Sequence, residues 1–334
     1  MIRNRLYYGI KPFLPFPVRL WIRQWLAIRK REQVRAFWPI MPGSELPPQG
    51  WPGWPEGKQF ALVLTHDVEG SSGVSKCERV MGLEQHRGFR SAFNLVPEGE
   101  YSTTSEFRDN LKRNGFEVGV HDLYHNGKLF LTKREFSRNA VQINRYLKDW
   151  GVAGFRSAFM LHNLDWLHDL NIQYDASTFD VDPFEPQPQG RNTVFPFWVP
   201  RRSSTNPPIH QFSSPTLQHS STPLSLGYVE LPYTLPQDST LFLILRERHP
   251  DTWLRKLDWI AKHGGMALLN VHPDYMRFEG EPVSPRTYPA DFYARFLEYV
   301  KQRYGDSFWQ PLPAAVSEFV RNCRASLAQR TEGQ

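Results

Sequence analysis

The sequence predicts a parallel α/β domain, and three observations carry that prediction. Short apolar runs alternate with segments of helical period from about residue 59 onward. Several of those runs end in His, Asp or Arg. The chain is also long enough, at 334 residues, to bury a large core. Hydrophobic residues at 40% and charged residues at 22% give a globular balance, which excludes a disordered or fibrous chain.

In chain order, residues 1–40 hold nine basic side chains against Glu32 alone, a net of +8, whereas the whole chain is +6 and the remainder therefore nets to −2. The basic character belongs to a segment. Beyond it the aromatic residues are not interleaved with Lys and Arg, so nucleic-acid binding is not expected. Within the segment Val18, Trp21, Ile22, Trp25 and Ile28 fall at helical spacing, which predicts an amphipathic helix over 18–37. Two readings of that helix are open: it lies on an anionic membrane surface, or it packs on its own domain. Residues 41–58, rich in Pro and Trp, cannot continue a helix and read as a connector. The main domain is expected at 59–327.

Strands are expected at 60–65, 91–96, 116–120, 154–156, 172–175, 228–231 and 266–271. Helices are expected at 75–87, 105–113, 133–150, 253–262, 290–303 and 313–325. Seven Ser, three Thr and four Pro within 201–225 predict a long exposed loop there. No apolar run approaches the ~20 residues of a membrane span, and basic residues interrupt the first 30 where a secretory leader would be apolar. A cytoplasmic protein is the expectation, at most peripheral to the inner face of the membrane. Cys77 and Cys323 have no second thiol near them in sequence, so no disulfide framework or zinc ribbon is expected.

The chemistry-bearing residues cluster at the ends of the predicted strands. The first strand delivers His66-Asp67-Val68-Glu69, and strand alternation sends Asp67 and Glu69 to one face and His66 and Val68 to the other. In parallel folds that end of the sheet is where ligands bind. His121 and His125, four apart, fall on one side of a helical turn and are able to reach one metal ion. With a carboxylate from another strand end they make a two-His-one-carboxylate site that keeps positions open. Arg156 ends the 154–156 strand, and His272 follows the 266–271 strand.

These residues carry a resemblance. Thr65-His66-Asp67-Val68-Glu69, His121 to His125, Phe155-Arg156, Tyr174-Asp175-Ala176-Ser177 and Leu269 to His272 resemble the ordered motifs of the metal-dependent polysaccharide deacetylases, carbohydrate esterase family 4. The resemblance spans about two thirds of the chain, from residue 60 to 274. Its details, including 230–238 and His272-Pro273-Asp274-Tyr275, look like an uncharacterised bacterial subgroup. It implies a distorted seven-stranded (β/α) barrel that hydrolyses N-acetyl groups on amino sugars. The family's first motif commonly reads Thr-Phe-Asp-Asp-Gly, its first Asp a base and its second a metal ligand. Val68 stands at the second position here and cannot bind metal, so the same-face argument gives the ligand role to Glu69 and leaves Asp67 as the base. The family's Arg-x-Pro is Arg156-Ser157-Ala158, which implies a different loop on the oxyanion side.

The resulting expectation is a divalent ion, zinc by preference, held by Glu69, His121 and His125, with Asp67 as base, Arg156 orienting it, and His272 as acid. Either Asp238 or Asp175 supports His272. The expected partner is an N-acetylated polysaccharide, oligosaccharide or lipid-linked glycan. The rivals are a hydrolase of another C–N amide bond and a non-catalytic carbohydrate-binding or membrane-associated scaffold.

Overall fold

A computed structural model describes residues 16–201 and 226–332. All but Arg201 of the loop expected at 201–225 lies outside the described residues, as does the start of the basic segment. The elements in order are α1 (Phe16–Val34), β1 (Phe60–Val68), α2 (Cys77–Gln85), β2 (Ala92–Leu95), α3 (Ser105–Arg113), β3 (Glu117–His121), α4 (Lys133–Trp150), β4 (Gly154–Arg156), β5 (Tyr174–Asp175), β6 (Phe197–Pro200) and β7 (Gly227–Glu230). There follow α5 (Asp251–His263), β8 (Met266–Val271), β9 (Met276–Arg277), β10 (Tyr288–Pro289), α6 (Asp291–Tyr304), β11 (Phe308–Trp309) and α7 (Pro313–Glu332).

Among the described residues the main sheet has nine strands, two more than the seven expected. Seven of them form the parallel series β8-β1-β2-β3-β4-β5-β7, to which β11 adds a short parallel pairing at the start of β1 and β6 an antiparallel edge on β7. The unexpected strands are short. β6 reads Phe-Trp-Val-Pro, and a proline without an N–H is tolerated on an edge, where no further ladder is needed. The sheet curls into a barrel. It has no β7–β8 ladder; instead the backbone amides of Thr234 and Leu235, beyond β7, both donate to the Leu268 carbonyl of β8 at 3.1 Å.

β1 is buried along its whole length, as a central parallel strand covered on both faces must be. α4 shows how the covering helices are delimited. The Thr132 hydroxyl accepts from the Glu135 amide at 3.1 Å, and Gly151 ends the helix in the left-handed conformation. Its apolar stripe of Phe136, Ala140, Ile143 and Leu147 is buried. Apart from a 3-10 turn at Pro55–Gly57, residues 41–58 are not helical but packed: Trp51 and Trp54 meet edge-to-face at 4.8 Å, and Trp54 donates to the Gly264 carbonyl at 2.7 Å, below the start of β8. The chemistry lies at the opposite end, where the strand register aligns it. Asp67 sits beside Asn94, Thr65 beside Asn270, and His121 beside Arg156.

Candidate active site

At the carboxyl end of β1 the side chains alternate. His66 turns outward to Glu84 of α2 at 2.6 Å, a carboxylate that also accepts from Ser91 at 2.7 Å and Tyr293 at 2.5 Å. Val68 is buried in apolar packing. Asp67 turns inward and is fully engaged: Asn94 and Asn270 each donate a side-chain N–H at 2.8 Å, one to each oxygen. Gly119 of β3 makes room for Asn94, since a Cβ there would lie 2.4 Å from its amide oxygen. Arg156 Nε stands 3.4 Å from Asp67 Oδ1, and its Nη2 donates to Thr65, whose hydroxyl donates to Asn270 at 2.9 Å. Burial alone raises a carboxyl pKa, but Arg156, His121, His272 and Asn94 outweigh it and hold Asp67 well below the usual carboxylate range.

His121 closes β3. Its Nδ1 lies 3.1 Å from the Arg156 carbonyl, which accepts only, so Nδ1 carries the proton and Nε2 presents a lone pair. Burial favours that neutral ring, pushing the His121 pKa down. The helical turn expected between His121 and His125 does not form. Asp122 and His125 both adopt left-handed backbone, at φ of 57° and 52°, and the Asp122 carboxylate accepts from the Leu123 amide at 2.6 Å. This local capping competes with helix and folds the chain back. The turn nevertheless brings the two imidazoles together, with centroids 4.8 Å apart.

Glu69, His121 and His125 each offer one ligand atom, and the three atoms lie within 4.8 Å of one another. The Nε2 atoms of His121 and His125 are buried and form no hydrogen bond, although His125 Nε2 comes within 3.1 Å of Glu69 Oε1. Two orphaned ring nitrogens facing a carboxylate are a donor set that fits a divalent cation, because buried polar atoms otherwise find partners. The Tyr275 hydroxyl donates to Glu69 Oε2. Burial pushes the Glu69 carboxyl up, yet His125, His272 and Tyr275 bring it down to about 2.

His272 projects from the turn after β8 toward both carboxylates, its Nε2 4.0 Å from Asp67 Oδ2 and 3.8 Å from Glu69 Oε1. Asp238 holds it twice, accepting from ring Nδ1 at 2.7 Å and from the backbone amide at 2.8 Å. Tyr288 donates to the same carboxylate at 3.0 Å. Against the opposing effect of burial, the Asp238 charge and hydrogen bond push the His272 pKa up to about 10. Asp175 lies elsewhere, accepting from the Ser177 hydroxyl at 2.7 Å and paired across the ladder with Glu230.

The sequence reading did not single out Asn94 and gave no role to Asn270, Asp274 or Tyr275, which it named only within the motifs. Asp274 accepts from the backbone amides of Glu69 and Gly73, both at 2.9 Å, and so fixes the chain where Glu69 leaves the strand. Gly73 is required there, as a Cβ would stand 2.1 Å from the Asp274 carboxylate. The available signal was a single polar residue inside an apolar strand, as in Leu269-Asn270-Val271.

Neither a family model nor a curated protein sequence matches the chain. Its fold is similar to that of a protein from Mycobacterium smegmatis assigned as a polysaccharide deacetylase, with a TM-score of 0.58 at 16% identity over 84% of this chain and 96% of that one. Lower similarity connects it to the peptidoglycan deacetylase PdaC from Bacillus subtilis, with a TM-score of 0.46 at 12% identity over 84% and 100% of the two chains. A CE4 family pseudoenzyme from Bacillus anthracis gives a TM-score of 0.44 at 14% identity, over 79% of this chain and 66% of that one.

Proposed function

We propose that this chain is a metal-dependent deacetylase, hydrolysing the acetamide of an N-acetylated amino sugar. The observation that carries the reading is the convergence of three functions on one point. A Glu-His-His donor set, an ionised buried Asp67 and an acid-supported His272 lie within 4.0 Å of their neighbours. A divalent ion on Glu69, His121 and His125 would polarise the acetyl carbonyl and lower the pKa of water toward ~7. Asp67, kept ionised by Arg156, takes the proton of the attacking water as its oxygen bonds to the acyl carbon. Asn94 and Asn270 hold the Asp67 carboxylate in place by its two oxygens. As the C–N bond breaks, His272 donates its Nε2 proton to the departing nitrogen, and acetate and the free amine leave. Asp238 fixes the ring through Nδ1, so the proton to be given is the one facing Asp67 and Glu69.

Release of acetate from a short N-acetylglucosamine oligomer, by protein loaded with zinc, tests the reading. Failure on N-acetylated sugars, with hydrolysis of a different small amide, would replace the substrate class while keeping the site.

The role of Asp238 has its own signature. His272 is charged at neutral pH because Asp238 stabilises the charged form, so Asp238→Asn lowers the pH at which the ring loses its proton. Activity that needs the charged ring falls as pH rises through that pKa. The alkaline limb of the pH–rate profile should therefore move downward in the variant, toward the ~6.5 of an ordinary histidine. A limb that stays in place while overall rate falls would make Asp238 purely structural.

A further inference from the structure

Helix α1 meets the barrel with one face and leaves an apolar stripe outside. Positions 24, 27, 31 and 34 meet the barrel: Ala27 and Val34 are buried, Gln24 donates to the Leu243 carbonyl at 2.9 Å, and Arg31 pairs with Glu247 at 2.9 Å. Lys30 bonds the Pro183 carbonyl, and the Trp38 ring that follows meets Phe184 edge-on at 5.0 Å. This corrects the either-or reading of the sequence, since the helix does pack on its own domain. It does so with one stripe only. Val18, Trp21, Trp25 and Ile28, spaced three or four apart, form a second stripe, on which Trp21 is 63% and Ile28 50% exposed. Arg29 lies over the Trp25 ring at 3.8 Å, and Arg23 and Arg35 are exposed.

We infer that this second stripe docks on an anionic lipid surface. Charge complementarity selects that occupant: exposed Arg23, Arg29 and Arg35 accompany the outer stripe, and residues 1–40 net +8 in a chain whose remainder nets to −2. Tryptophans flanked by arginines suit the boundary between headgroups and acyl chains, where an indole is half apolar and the cations meet phosphate. A second copy of this chain would bring a like-charged helix against the first. No helix among the described residues is long and apolar enough to cross a membrane, so the contact is peripheral.

The docking has a consequence for the candidate site, which rests on the deacetylase reading. Leu243, which anchors α1, belongs to the helical turn Ser239–Ile244 that starts immediately after Asp238. A membrane bound to the outer stripe therefore engages an element directly joined to the His272 support, and the matching substrate class is an N-acetylated sugar carried on that membrane.

The test is co-sedimentation of the full chain with vesicles of phosphatidylcholine alone or of phosphatidylcholine with phosphatidylglycerol. The chain should pellet with the anionic vesicles at least ~10-fold better than with the neutral ones, and less so at high salt. Trp21→Ser with Trp25→Ser should lose that binding while leaving the thermal midpoint and acetate release from a soluble oligomer unchanged, because both rings are exposed. Binding by the double variant equal to the parent overturns the proposal. So does a parent that ignores anionic vesicles, whether it self-associates through the stripe in light scattering or stays monomeric. Acetate release and vesicle binding are read separately, so either reading can fail alone.

Discussion

Alanine at His121 or at His125 is expected to strip the bound divalent ion. In the proposed site each imidazole is one of three protein donors among the described residues, and removing a donor outright should cost more than the ~10- to 100-fold in affinity that follows loss of an outer partner. Both variants should leave dialysis without stoichiometric zinc, read by elemental analysis, and both should release no measurable acetate. They should remain folded, since neither Nε2 atom is hydrogen-bonded to the protein and the loss at His121 is confined to its Nδ1 bond with the Arg156 carbonyl. Glu69→Ala should behave in the same way, and Val68→Asp should not rescue it. Val68 is buried on the opposite side of the strand from Asp67 and packs with the apolar core, so a carboxylate there faces the wrong layer. Full zinc occupancy in both histidine variants would overturn the ligand assignment.

The part of this site that was legible in the sequence is the part governed by strand periodicity. Alternation alone separates Asp67 from His66, and the structure sends the two to opposite sides, one toward Arg156 and the other toward Glu84. Strand ends are legible for the same reason, because an apolar run that stops at a histidine marks both the sheet and its rim. Periodicity failed where the backbone leaves regular structure. The turn from His121 to His125 depends on two residues in left-handed conformation, neither of them glycine, so no pattern of residue types announced it. The support of His272 was undecidable for a different reason. Asp175 and Asp238 are both buried acids, and only the three-dimensional path after β7 brings Asp238 to 2.7 Å from the ring. Asn94 and Asn270 escaped because a lone asparagine in an apolar strand signals a polar site without naming its partner, which lies across the ladder. Helix α1 was read as choosing between membrane and barrel because only its apolar stripe was followed, whereas the barrel is met by a different face, through Gln24, Ala27, Arg31 and Val34.

Asp67→Asn is expected to lower turnover at least ~100-fold while the ion stays bound, the usual scale for loss of a general base. The substitution is nearly isosteric and leaves Glu69, His121 and His125 in place, so zinc content reports an intact site independently of rate. It is not silent for stability. Both oxygens of Asp67 accept from amide N–H groups, those of Asn94 and Asn270, and an asparagine must turn its own NH2 toward one of them. The donor left unpaired in a buried site should cost about 1–3 kcal/mol, visible as a lower thermal midpoint. The pH dependence of stability supplies a second check. The folded pKa of Asp67 is depressed below its ordinary 3.8, so its contribution is present above that value and is lost as pH falls toward the folded pKa. The variant lacks this contribution, and its stability should therefore fall less steeply than the parent's on acidification below about pH 4. Turnover retained with zinc bound would move the base to another group, and Glu69, the other carboxylate within 4.0 Å of His272 Nε2 among the described residues, would be next to test.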